Sequence, residues 1–121
     1  MSVTAKLVTA LQTLKLPVWA ISKPETEDPD VFIVYNPEME YIDYGDDRDL
    51  DIETSFQVHW YARGHVNYLS ARTSIRNALR TAGFLLESSP MVIYESVSGN
   101  PSTGTQTGYT HVVIICRMED E

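Results

Sequence analysis

Apolar positions follow two different rhythms along the chain. Val3, Leu7, Ala10, Leu11 and Leu14 recur at steps of three and four, which predicts an amphipathic helix over residues 2–15. Pro17 should end it, because the residue before a proline avoids the helical region. Val18 to Ile21 reads as a short strand, and Lys23 to Asp30 as an acidic loop carrying Pro24 and Pro29. Val31-Phe32-Ile33-Val34-Tyr35 is apolar at every position, as in a strand covered on both faces. Asn36-Pro37 is expected to break it, leaving residues 36–49 as a loop or hairpin tip.

The clearest signal comes next. Leu50, Ile52, Thr54, Phe56, Val58, Trp60 and Ala62 alternate with Asp51, Glu53, Ser55, Gln57, His59, Tyr61 and Arg63. Such alternation predicts a long strand with one wet face. At about 3.3 Å per residue it would span roughly 46 Å, so it must bend or project from the domain. Beyond Gly64, Tyr68, Ala71, Ile75, Ala78, Leu79 and Ala82 define the buried face of a second helix, and Gly83 suits a left-handed cap. Arg72, Arg76 and Arg80 form a stripe beside that face. Residues 84–95 are strand-like but interrupted at Ser88-Ser89-Pro90, and 110–118 form a closing strand. The charge-free Ser, Thr and Gly run 96–108 is expected to be a mobile loop. The acidic end, 119–121, is expected to fray.

This order of elements predicts an α+β fold. We expect one domain over residues 1–121, with a mixed or antiparallel sheet of four to five strands and two helices packed on one face. With 121 residues, 43% of them apolar, one core suffices without a metal or a disulfide framework. The single cysteine, Cys116, follows an apolar run and reads as a buried strand thiol. The N-terminus lacks the pattern of a secretory signal, and no apolar run approaches the roughly 20 residues of a membrane span. The expectation is a soluble chain, not membrane-bound, made in a reducing cytoplasm.

Charge adds a second layer. The net charge is −8, which opposes nonspecific attraction to nucleic acid or anionic lipid. Residues 25–53 hold 12 of the 17 acids, while 54–86 hold four arginines and no acid. A solvated acidic surface with a separate arginine face is one reading. The other is an interface between subunits. Acids of the 38–53 region, among them Glu38, Glu40, Asp43, Asp46 and Asp47, would then meet Arg72, Arg76 and Arg80 of a neighbour. Pairing within one chain competes with that, because the long strand leads directly into the second helix.

Chemistry is hard to find. There is no phosphate loop, dinucleotide fingerprint or metalloprotease motif. His59, His65 and His111 are not spaced as ligands of one element and read as ordinary surface or edge histidines. The run Asp46 to Glu53 fails the EF-hand spacing. Asp49, Asp51 and Glu53 alternate on one strand face and could line a metal-dependent nuclease site, though a solvated face is the simpler reading. Three arginines without interleaved aromatics make a thin phosphate footprint. No catalytic residue, metal or cofactor is expected, and the chain is not expected to be an enzyme.

The chain resembles the tail terminator, or tail completion, proteins that join tail to head in long-tailed bacteriophages. The resemblance rests on a leading helix closed by Leu16-Pro17-Val18, on Phe32-Ile33-Val34-Tyr35, and on Phe56-Gln57-Val58-His59-Trp60-Tyr61. It continues through Ile75-Arg76-Asn77-Ala78-Leu79, Gly83-Phe84 and Tyr109-Thr110-His111-Val112-Val113-Ile114. It implies an α+β virion subunit, assembled in the host cytoplasm, that forms a hexameric ring on the last ring of the tail tube. That ring stops tube growth, meets the tail tube protein and the head-connector protein, and lets DNA pass its lumen without specific binding. Other head–tail joining proteins, such as a stopper or neck protein, and an acidic DNA-mimic inhibitor remain as alternatives.

Overall fold

The computed structural model describes residues 2–43, 51–64, 66–86, 91–100 and 105–120. The fold is α+β. The elements are α1 (Val3–Gln12), β1 (Val18–Ala20), β2 (Val31–Asp43), β3 (Asp51–Arg63), α2 (Leu69–Thr81), β4 (Leu85–Leu86), β5 (Met91–Asn100) and β6 (Thr105–Asp120). They build one sheet in the order β1-β2-β3-β6-β4, with β5 also paired to β6. β4 meets β6 at Arg117 and Cys116, whereas β5 meets it from Thr105 to Val113. Both lie on the edge of β6 opposite β3, so six segments fill five lateral positions. β1 runs parallel to β2, and every other pairing is antiparallel.

The two helices cover one face. Ile33 of β2 pairs with Trp60 of β3, and Trp60 with Val112 of β6. These side chains join Phe56, Val58, Ala62, Ile114 and Cys116 in one core against Val3, Leu7 and Leu11 of α1 and Ile75 and Leu79 of α2. The alternation in β3 therefore places its apolar set under the helices, as its period of two dictates. Cys116 is fully buried among them. On the opposite face Phe32 and Val34 are also buried, so β2 is covered on both sides in this stretch.

Local chemistry sets the helix ends. The Ser2 side chain accepts a hydrogen bond from Ala5 N at 3.1 Å and caps α1. α1 ends at Gln12, short of the expected residue 15; Lys15 then turns with φ 59 before Leu16-Pro17. At the end of α2, Gly83 N donates to Arg80 O and Phe84 N donates to Leu79 O, both at 3.0 Å. With Gly83 at φ +97 this is a Schellman motif, and its residue Phe84 drops into the core.

Three expectations are corrected. First, residues 36–43 are strand, not loop: β2 continues through Asn36-Pro37 with a bulge between Pro37 and Met39 and pairs up to Asp43↔Asp51. Ile33 N donates to Pro17 O, and Tyr35 O accepts from Ile21 N, so these alternate residues turn their polar groups toward β1. Pro37 is next in that series, and no strand among the described residues lies beside it there. Its missing N–H costs the sheet nothing. Second, most of the 96–108 run is a hairpin, with Ser96↔Gly108, Val97↔Thr107 and Asn100↔Thr105 in register. Threonine suits a strand, but a run of Ser, Thr and Gly with Val97 as its one large apolar residue carries no hydrophobic period to read. Third, Glu119 and Asp120 do not fray but pair with Glu53 and Ile52. Residues 44–50 and 101–104, and the expected interruption at Ser88-Ser89-Pro90, lie outside the described residues.

Candidate functional site: charged edges and a histidine pair

β6 has 16 residues and spans about 50 Å, longer than the helices that cover its centre. The sheet therefore extends past the helical layer at both ends. At one end β2, β3 and the end of β6 form a three-stranded arm. Residues 38–43, 51–54 and 118–120 in it hold seven acids and no base. Asp43 lies opposite Asp51 and Glu53 opposite Glu119 in the ladder. Like charges at facing positions are unfavourable in a ladder, and Arg117, directly before this stretch, is the base next to them in sequence. At the other end, residues 96–100 and 105–108 form an arm with no charge at all.

The expected interface residues distribute as follows. Glu38, Glu40 and Asp43 are on β2, with Glu38 in the bulge. Asp46 and Asp47 lie outside the described residues, as do Asp49 and His65. Arg72, Arg76 and Arg80 are on α2; Arg80 is exposed and the other two are half-buried. Arg72 sits 5.7 Å from the centre of the Tyr68 ring. Among the described residues no carboxylate lies within salt-bridge distance of these three arginines.

Arg63 behaves differently. Its Nη2 meets Asp28 at 2.6 Å and its Nε meets Asp30 at 2.9 Å. Hydrogen bonds to Asp28 and then Asp30 hold its guanidinium above the ordinary arginine range. Part of the acid-rich segment is thus matched within the chain, by the fourth arginine and not by the stripe. The same pairing ties the 23–30 loop to the end of β3, helped by Arg63 N donating to Asp30 O at 2.8 Å.

The helix-free face holds a cluster that the sequence reading treated as separate, ordinary histidines. His59 Nδ1 lies 2.6 Å from His111 Nε2, and His111 is buried. Antiparallel pairing of β3 with β6 sets Tyr61 opposite His111, which puts His59 on the diagonal. Tyr61 stacks on His111 with ring centres 4.1 Å apart, and Phe32 stacks on Tyr61 at 4.9 Å. The alternating faces of β3 and β6 carry the only signal for this cluster in the sequence, and it becomes legible once the two strands are paired. The face expected to be wet is half-buried at Gln57, His59 and Tyr61.

Among the described residues, no group of three His, Cys, Asp or Glu side chains converges as metal ligands. Asp51 and Glu53 occupy β3 as expected. Burial pushes the Cys116 thiol up to about 12, which keeps it protonated and unreactive in the core. No helix among the described residues is long and apolar enough to cross a membrane. No protein-family model matches the chain, and no curated protein matches it significantly.

Proposed function

We propose that the chain is a structural virion subunit of a long-tailed bacteriophage, a tail terminator. In this reading it assembles as a ring on the last ring of the tail tube, stops tube growth and offers the head connector its docking surface. The observation that carries the reading is the sheet that outruns its helices in both directions. A ring subunit placed between tube and connector needs one contact surface at each end, and here the two ends differ in chemistry, one acidic and one uncharged. Ladder hydrogen bonds hold both arms, so each can present a surface without a core of its own. A net charge of −8 suits a lumen through which DNA slides, since cationic walls would hold its phosphates. The reading requires no catalysis by the chain and no cofactor.

The test is tube growth. Purified chain added to the tail-tube protein of the same virus during polymerisation should arrest elongation and leave a narrow distribution of capped lengths. Tubes that elongate as they do without the chain would overturn the proposal. A second reading, an acidic DNA mimic, draws on the seven acids of one arm. It predicts salt-sensitive inhibition of a basic nuclease and no effect on tubes.

A further inference from the structure

The arginine stripe and the acidic arm lie at opposite lateral edges of the sheet. α1 packs beside β1, while α2 packs over β4 and β6. The groove between the helices is lined by Lys6 and Ala10 of α1, by Asn77, Ala78 and Thr81 of α2, and by Ala82 just after it. At 3.6 residues per turn, the centre of the Arg72, Arg76 and Arg80 stripe lies about half a turn from the centre of those positions. The stripe therefore faces away from α1, toward the sheet edge that carries β4. Leu85 of β4, which is 58% exposed, lies on the same edge. β2 forms the other edge. From Asn36 to Asp43 it has no strand on its outer side among the described residues, and Glu38, Glu40 and Asp43 belong to it.

We infer that copies of this chain join head to tail, the acidic β2 edge of one copy seating on the α2 arginine flank of the next. The occupant is fixed by charge. α2 carries three arginines and no acid, and the β2 edge carries three acids in residues 38–43 and no base. The geometry selects the mode. Complementary patches on opposite edges make a heterologous contact, which repeats from copy to copy and closes into a ring when the rotation allows. A strand edge with no described strand beside it is a template for association, and its acids restrict that association to a basic partner. The inference rests on the ring reading above for closure, and it names the contact between neighbours.

The experiment is a charge-reversal mixing test read by light scattering at high protein concentration and low ionic strength. One variant carries R72E, R76E and R80E; the other carries E38K, E40K and D43K. The wild-type chain should form a species larger than a dimer, and added salt should dissociate it. Each variant alone should be monomeric, since both of its edges then carry one sign. The equimolar mixture should reassemble, because each reversed edge finds its opposite on the other variant. Such rescue also establishes that the variants fold. Assembly of either variant alone at the wild-type size, or a mixture that stays monomeric, would overturn the contact. A wild-type chain that caps tail tubes yet stays monomeric in solution would overturn it too, while leaving the tail reading intact.

Discussion

His59 Nδ1 and His111 Nε2 are 2.6 Å apart although 52 residues separate them, so a single proton lies between the two rings. The surroundings assign its owner. His59 Nε2 lies 3.1 Å from Gln57 Oε1 and must donate to it. With the Asn36 amide turned so that its nitrogen donates to Ile21 O and Tyr35 O, at 3.3 and 3.2 Å, its oxygen faces the same His59 nitrogen. A neutral His59 with its hydrogen on Nε2 accepts at Nδ1 from His111 Nε2–H.

The tautomers are measurable. Nitrogen chemical shifts should show His59 Nδ1 unprotonated and His111 Nε2 protonated. His111→Phe keeps a ring for Tyr61 to stack on but leaves His59 Nδ1 without that donor. The expected loss is about 1–3 kcal/mol by chemical denaturation. A protonated His59 Nδ1, or an H111F variant as stable as wild type, would contradict the assignment.

Trp60 carries the packing of β3. It is 5% exposed and pairs with Ile33 on one side and Val112 on the other, beneath both helices. Trp60→Ala should destabilise by roughly 3–5 kcal/mol, as loss of a large buried aromatic does. An unchanged melting temperature would refute the register, because a slip of one residue turns Trp60 to the other face.

Gly83 tests the turn after α2. At φ +97 any side chain is strained, and an added Cβ would sit 3.4 Å from the flexible end of Met118, an ordinary contact. Gly83→Ala should therefore cost about 1–2 kcal/mol through backbone strain. Equal stability of the variant would show that the Schellman turn does not form.

Cys116 gives a pH signature. Its thiol is raised from 9.0 to about 12 by burial. Above pH 9 the unfolded chain loses this proton while the folded chain keeps it, so stability is intact below 9 and falls between 9 and 12. The slope is at most about 1.4 kcal/mol per pH unit. Cys116→Ala should lack this component, whatever its stability at neutral pH. Parallel curves for the two proteins across that window would contradict burial of the thiol.

Both helices and β3 were legible in the sequence because each has a full hydrophobic period: Leu7 and Leu11 on one helix, Ile75 and Leu79 on the other, Phe56 to Ala62 on the strand. The extension of β2 was not legible. A proline normally ends a strand, and Pro37 is harmless because no strand among the described residues lies beside it on that edge. The β5–β6 hairpin was hidden for a different reason, since Ser96 to Gly108 has no apolar side to mark a face. The arginine stripe was readable from its spacing of four. That Arg63 is matched by Asp28 and Asp30 was not, because loop closure set that pairing. The histidine pair depended on the β3–β6 register, which no single stretch of sequence encodes.

The central claim is that the chain caps a tail tube. It is tested most directly by electron microscopy of tail tubes from the same virus incubated with gold-labelled chain. The account predicts label at one end of each tube, seated as a ring coaxial with it, and none along the shaft. Label distributed along the tubes, or tubes that bind no chain, would contradict it.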